Sequence, residues 1–323
     1  MTAEQITFVT FGALLVLALI FDLGLLSKKN SHITIKKALW QTIFWVSLAL
    51  LFFGFMWWEN GRTLALEYLS AYLMEWSLSI DNIFVFILLF SFFGVKEQFY
   101  ARVLLIGILM AIVFRMGFIT VGIELVKQFE WILYIFGGIL VYTGISMFRA
   151  KHDEMIDINE NKVYRMMKRL LPLVPDDGGG KWVVRRDNKR YYTSLFVVVI
   201  MLATTDIVFA LDSIPAVFAI SQEPLVIYTS NIFAVLGLRS LFFLLKGASN
   251  KFAHLQQGIA VILVFIGCKM LAVMLGVHVP VYVSLLVIVT CIVASIVYSI
   301  ATANRHADEQ KDAMESEMNR EIH

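Results

Sequence analysis

The chain has 323 residues, 59% of them hydrophobic and 16% charged, with a mean hydropathy of +0.77. Soluble domains average about a quarter charged residues, so a water-soluble globule and a disordered chain are excluded. A formal charge of +2 gives no footing for nucleic acid.

A helix needs about 20 apolar residues to cross a hydrocarbon core about 30 Å thick. Nine segments meet that length: 6–26, 38–58, 66–94, 101–125, 130–148, 193–220, 226–247, 254–276 and 279–301. The expected fold is all-α, a polytopic membrane helical bundle of about nine transmembrane helices. The first segment lacks a basic start and a small-residue cleavage site, and is read as a retained span.

Loop charges set the direction, because Lys and Arg collect on the cytoplasmic side. One set of loops carries Lys28, Lys29, Lys36, Lys37, Lys96, Arg102, Lys246 and Lys251, a dense basic run over 149–192, and the C-terminal tail. The opposite set carries only Arg62 and Lys127. The N-terminus is therefore expected outside and the C-terminus in the cytoplasm. Trp57, Trp58 and Trp131 then fall at outer helix ends and Trp40 at an inner one. Within 149–192, Val163 to Leu171 reads as a short basic amphipathic helix stopped by Pro172 and Pro175. Asp177-Gly178-Gly179-Gly180 reads as a turn, and Trp182-Val183-Val184 with Tyr191-Tyr192 as a small hairpin around Asp187-Asn188. This loop is read as lying on anionic lipid, or as a gate or partner site. The tail 303–323 is polar and expected to be disordered or a short helix.

Seven ionisable residues lie inside the spans: Glu75, Asp81, Arg115, Asp206, Asp212, Arg239 and Lys269. Each costs about 2.5–3.5 kcal/mol at a helix centre. Such residues must be paired, hydrated or bound to something. Their arrangement repeats. Glu75 and Asp81-Asn82-Ile83 correspond to Asp206 and Asp212-Ser213-Ile214. Ala111 to Arg115 corresponds to Val235 to Arg239, and Gly144 to Phe148 corresponds to Gly267 to Leu271. A repeat of three helices reverses its direction in the membrane, so the expected fold holds an inverted 3+3 repeat, the architecture of many secondary transporters. The expected organisation is accessory helices in 1–65, a first repeat in 66–148, the basic loop 149–192, a second repeat in 193–277, an accessory helix in 278–302, and the tail.

Residues seven apart share a helix stripe, which places Glu75, Ser79 and Asn82 together and Asp206, Ala210 and Ser213 together. Pro215 is expected to disturb the ladder near Leu211, and local unwinding would draw the acids of each pair together. Glu75, Asp81, Asn82, Asp206, Asp212 and Ser213, with Thr205 and Ser79 nearby, form an oxygen-rich set suited to Mg²⁺, Ca²⁺ or Mn²⁺. The six histidines fall in loops, tails or span ends, which disfavours a soft-metal site. Arg115 and Arg239 are read either as structural partners of the acids or as counter-charges, and Lys269 as a tethered counter-charge that displaces the ion or as a proton-linked switch. Its repeat partner is the uncharged Ser146. Asp22, Glu67 and Glu124 are read as interfacial residues that reach water. Cys268 and Cys291 lie in apolar runs without redox spacing.

The stretches Glu75-x-Ser77-Leu78-x-x-Asp81-Asn82, Asp206-Ile207-x-Phe209-Ala210-x-Asp212-Ser213-Ile214-Pro215-Ala216 and Thr229-Ser230-Asn231-x-Phe233-Ala234-x-Leu236-Gly237-Leu238-Arg239 resemble signatures of the TerC family of integral membrane proteins, and the layout is similar to its Alx-type branch. The resemblance, which covers nearly all of the chain except the tail, implies a manganese exporter of the inner membrane, or more loosely a redox modulator, in a family associated by name with tellurium resistance. It implies that Glu75, Asp81, Asn82, Asp206, Asp212 and Ser213 are candidate Mn²⁺ ligands. Ser146 stands where family members often have Lys, which weakens any mechanism using two symmetric lysines. The reading is a non-enzymatic Mn²⁺ exporter with no tightly bound cofactor, whose partners are the cation and membrane lipids. A redox modulator, a tellurium-resistance scaffold and an amino-acid exporter are the alternatives.

Overall fold

The computed structural model describes residues 3–26, 34–149, 162–174, 176–186, 189–246, 255–277 and 279–321. Within its helices some side chains, including those of Asp22, Asp81 and Asp212, are outside the described set, as are those of all six histidines. The chain is a helical bundle. Its elements are α1 (Ala3–Leu26), α2 (Ile35–Glu59), α3 (Arg62–Phe92), α4 (Glu97–Gln128), α5 (Ile132–Arg149), α6 (Lys162–Leu170), β1 (Val183–Arg186), β2 (Lys189–Tyr192), α7 (Ser194–Ile220), α8 (Pro224–Leu236), α9 (Leu238–Lys246), α10 (Leu255–Ala272) and α11 (Val281–Glu321).

Each of the nine apolar segments is helical, but length separates them. Six helices are long and apolar enough to cross a membrane alone, and the pair α8 and α9, bent by 41°, has the combined length and composition of a broken span or a re-entrant loop. The described apolar parts of α1 and α5, Gln5–Leu17 and Ile132–Phe148, are shorter. The segment 226–247, expected as one straight span, breaks at Gly237, which caps α8 against the Cβ of Trp45. The segment 279–301 is too short a reading: α11 continues as helix through Glu321, well into the expected tail. The Ala, Glu, Met and Arg residues of 303–321, good helix formers, account for that extension.

Membrane helices gain little from burying apolar surface, since lipid is equally apolar, so close packing and polar contacts hold them together. In α3, α4 and α7, about half or more of the apolar window is buried; in α2 it is 28% and in α11 only 17%. Exposed Leu51, Val121, Val208, Leu286 and Val297 form the lipid-facing surface. Directions follow from contacts. Ser221, just beyond the end of α7, donates to Glu67 at the start of α3, and Lys246 at the end of α9 pairs with Glu97 at the start of α4. The sequence-matched helices α3 and α7 are thus antiparallel, as are α4 and α9.

The third matched pair, α5 and α10, makes the closest approach. A Cβ on Gly144 would lie 2.8 Å from the carbonyl oxygen of Ala260 and 2.7 Å from a methyl of Val264; on Gly267 it would lie 2.7 Å from the carbonyl oxygen of Gly137 and 2.8 Å from a methyl of Val141. These are reciprocal contacts: the alignment that pairs Gly144 with Gly267 also pairs Gly137 with Ala260 and Val141 with Val264. Only hydrogen fits at either site. Gly144→Val or Gly267→Val is expected to destabilise the protein by about 1–3 kcal/mol through overpacking. The same change at Gly138, which meets nothing within 4 Å, should leave the melting temperature in detergent nearly unchanged.

The end of the bundle carrying α6 and the hairpin is the basic end. As expected, α6 is a short helix, and β1 pairs antiparallel with β2 in the register Val183↔Tyr192 and Arg186↔Lys189. Gly178, Gly179 and Gly180 take positive φ values of 56°, 66° and 87°. That turn seats against Phe99 on α4 and Thr193 before α7, where a Cβ would clash. Arg102 donates to the Gly180 carbonyl at 2.9 Å and lies 4.7 Å from the Trp182 ring centre. Lys96 pairs with Asp177 at 2.6 Å, and the Gly179 N–H donates to the same carboxylate at 3.0 Å. The Lys96 ammonium, and secondarily this N–H, hold Asp177 below the usual carboxylate range.

A depressed carboxylate stabilises the fold fully above its unfolded value of about 3.9 and loses that contribution as pH falls through its folded value. Trp182 fluorescence should therefore be constant between about pH 5 and 7 and change below about pH 4. Asp177→Asn should remove the part of that acid transition due to this pair.

Candidate metal site on helices α3, α4, α7 and α8

Two of the acids inside the spans, Glu75 and Asp206, come together around Arg115. The guanidinium is 1% exposed, Glu75 0%, Asp206 1% and Asn231 0%, so each needs a partner. Arg115 Nε donates to Asp206 Oδ2 and Nη2 to Oδ1, both at 2.9 Å, a two-pronged fork. Its Nη1 donates to Glu75 Oε1, with Asn231 Oδ1 at 3.4 Å. The Asn231 amide donates to the Ile227 carbonyl at 3.1 Å, which fixes its oxygen toward Arg115. One side chain from α4 thus bridges an acid from each of the two matched helices.

The bridge changes the expected ligand set. Glu75 and Asp206 do converge, but onto a guanidinium, and Arg115 is ion-paired with both. Among the described residues no group of three or more His, Cys, Asp or Glu side chains is placed to hold a metal. The side chains of Asp81 and Asp212 lie outside the described set, so only their backbone positions are known: one residue before the buried Asn82 and Ser213. The expected unwinding is not seen, because α3 and α7 run unbroken through both motifs and α7 contains Pro215. A helix absorbs a proline by losing one hydrogen bond and bending slightly, and here it does not open. Thr205 donates to the Met201 carbonyl at 2.7 Å within its own helix.

Several oxygens on these helices remain without partners. Glu75 Oε2, Ser77 Oγ, Ser79 Oγ and Ser213 Oγ are buried and make no hydrogen bond, an arrangement that costs about 1–3 kcal/mol per group. Arg239, the match of Arg115, is 4% exposed just after the α8–α9 break. On the basic-end side of Asp206, Phe86, Leu104, Gly107, Ile108, Ala111, Leu202 and Leu238 line a void of about 10 Å³, scarcely room for one water.

Lys269 does not join this group. It lies near the end of α10 away from the basic loop, where Nζ donates to Ser284 at 3.0 Å and Glu67 is its electrostatic neighbour. The sequence reading assigned it to the acids inside the spans; its place along α10 assigns it elsewhere. Glu67, set aside as a water-reaching residue, is half-buried and accepts from Ser221 at 2.5 Å. Glu124 meets the interfacial expectation, 62% exposed and 3.5 Å from Lys127. Cys268 and Cys291 are free thiols, and Ser146 is exposed. Asn231 received no role from sequence, although a polar amide inside an apolar run was itself a signal.

Comparison with known proteins places the chain. The model of the integral membrane protein TerC family matches residues 60–307. A Salmonella typhi protein with the provisional name membrane-bound redox modulator Alx is 43% identical over 272 residues, covering 81% of this chain and 84% of the relative. The protein of the same name from Escherichia coli K12 is 42% identical with the same coverage. An uncharacterized membrane protein of Myxococcus xanthus is 40% identical over 260 residues, covering 80% and 81%. No solved structure matches. With the family model running from α3 into α11, this multi-pass membrane chain belongs to the TerC family of integral membrane proteins.

Proposed function

We propose that the protein exports Mn²⁺ from the cytoplasm across the bacterial inner membrane, with its basic end on the cytoplasmic side. The observation that carries the reading is the buried bridge of Glu75, Arg115 and Asp206, with Glu75 Oε2 partnerless and the buried hydroxyls of Ser79 on α3 and Ser213 on α7 also without hydrogen bonds. Helices α3 and α7 carry four acids at matched positions, Glu75, Asp81, Asp206 and Asp212, and the single charge of Arg115 is shared between two of them, Glu75 and Asp206. Unpaired carboxylate and hydroxyl oxygens suit hard ions, and the family resemblance implies Mn²⁺ among them.

In this reading Arg115 is an internal stand-in for the cargo. Its fork on Asp206 holds the guanidinium in place, while Nη1 has a second acceptor, Asn231 Oδ1, at 3.4 Å. An arriving cation takes both Glu75 oxygens, together with oxygens of Asp81, Asn82, Asp212 and Ser213, and Nη1 shifts to Asn231. Antiparallel matched helices supply two oppositely directed units whose rocking exposes the site alternately to each side. An inward-negative potential opposes export by about 2.3 kcal/mol per charge per 100 mV. Exchange against protons would provide the drive.

Purified protein in liposomes, loaded with a Mn²⁺-quenched dye, provides the test. Asp81→Ala and Asp212→Ala are each expected to reduce flux to the level of empty liposomes. Wild-type flux that persists in both variants would refute the carboxylate site. Absence of flux together with a visible chromophore in the purified protein would favour a redox role.

A further inference from the structure

A cavity of about 260 Å³ opens at the end of the bundle opposite the basic loop, lined by Glu130, Tyr134, Phe218, Gln222, Lys269 and Met270 among others. Its Phe218 wall is on α7, the helix that also carries Asp206. Phe218 lies six residues beyond Asp212 on α7, about 9 Å along the axis. Phe218 lines the cavity, its ring pairs with Phe136 at 6.2 Å, and a Cβ on Gly122 of α4 would come within 2.9 Å of it. On the other side, the void that reaches Asp206 is only about 10 Å³.

The charges around the cavity favour a cation. Glu130 stands on its wall, Glu67 is the electrostatic neighbour of Lys269, and among the described residues Lys269 is the only basic one in its lining. Two carboxylates against one ammonium leave the vestibule negative. No three described acid, His or Cys side chains gather there, so a divalent ion is attracted without being chelated, as release requires. Lys269 spends one of its donors on Ser284, and its charge faces Glu67, whose other partner is the Ser221 hydroxyl.

Resting on the export reading, we infer that this cavity is the release vestibule of the cation path, that Phe218 is its inner gate, and that Lys269 competes with the departing divalent ion for the Glu67 carboxylate. The ammonium returns to Glu67 as the ion leaves, so an ion outside the membrane cannot easily rebind. This gives Lys269 a role at the exit and not at the buried acids, and explains why its repeat partner need not be charged.

The test is inhibition of liposome export by Mn²⁺ added on the release side. In Lys269→Gln the half-inhibiting concentration should fall about tenfold, the equivalent of about 1.4 kcal/mol; in Glu67→Gln it should rise; Lys269→Arg should behave as wild type. Size-exclusion profiles of the purified variants exclude misfolding. As a readout independent of flux, a membrane-impermeant thiol reagent should modify Gln222→Cys in a Cys268→Ser, Cys291→Ser background, faster when Phe218→Ala is added. Normal wild-type export with inhibition unchanged in Lys269→Gln and Glu67→Gln overturns the vestibule and leaves the exporter standing. No wild-type Mn²⁺ export overturns both.

Discussion

Arg115→Met is expected to destabilise the protein by about 3–5 kcal/mol, the usual cost of leaving buried charges without their partner. Methionine keeps much of the side-chain volume, so lost packing contributes little. What remains is two carboxylates, on residues 0% and 1% exposed, with no guanidinium between them. The discriminating variant removes all the charge: Arg115→Met with Glu75→Gln and Asp206→Asn should recover most of the loss, because replacing a whole buried ion cluster is often neutral. Thermal unfolding in detergent reads both. A single variant as stable as wild type would show that the acids are neutralised by something other than Arg115. The triple variant should fold and still fail to export, because it lacks the charge that selects a cation.

Mn²⁺ at a hundred times its dissociation constant should raise the unfolding free energy of the wild type by about 2.7 kcal/mol, since a ligand that binds only the folded state stabilises it by mass action. Asp81→Asn and Asp212→Asn should each abolish most of that gain. Mg²⁺ and Ca²⁺ are the necessary comparators, because ligand type does not separate these ions from Mn²⁺. The measurement needs no gradient, so it distinguishes a protein that binds but does not transport from one that does neither. Equal melting temperatures with and without Mn²⁺, across a range in which flux saturates, would contradict a buried binding site.

The local layers of the structure were readable in the chain. Hydropathy located all nine helical segments, since a run of apolar residues is a property of neighbours in sequence. The stop after α6, the Gly178–Gly180 turn and the hairpin were equally local, each fixed by the backbone preferences of Pro, Gly and the β-branched or aromatic residues beside them. The errors were of length and bend. Gly237 was only one more small residue until Trp45 of α2 packed against it, and the tail lacked apolar pattern although its residues favour helix.

Charge partners were not readable in the same way. The sequence by itself determined that α3, α4 and α7 carry charges needing compensation, and that acids recur at the same spacing in α3 and α7. Only the tertiary structure decided that Arg115 bridges Glu75 and Asp206, 40 and 91 residues away, and that Ser221 reaches Glu67 across 154. It also decided that Lys269 lies near Glu67 and apart from the buried acids. Hydropathy and spacing specify which face of a helix is polar, whereas an ion pair depends on separations of a few ångströms between helices. Those separations are set by small contacts such as Gly144 on Ala260, whose partners no single segment contains.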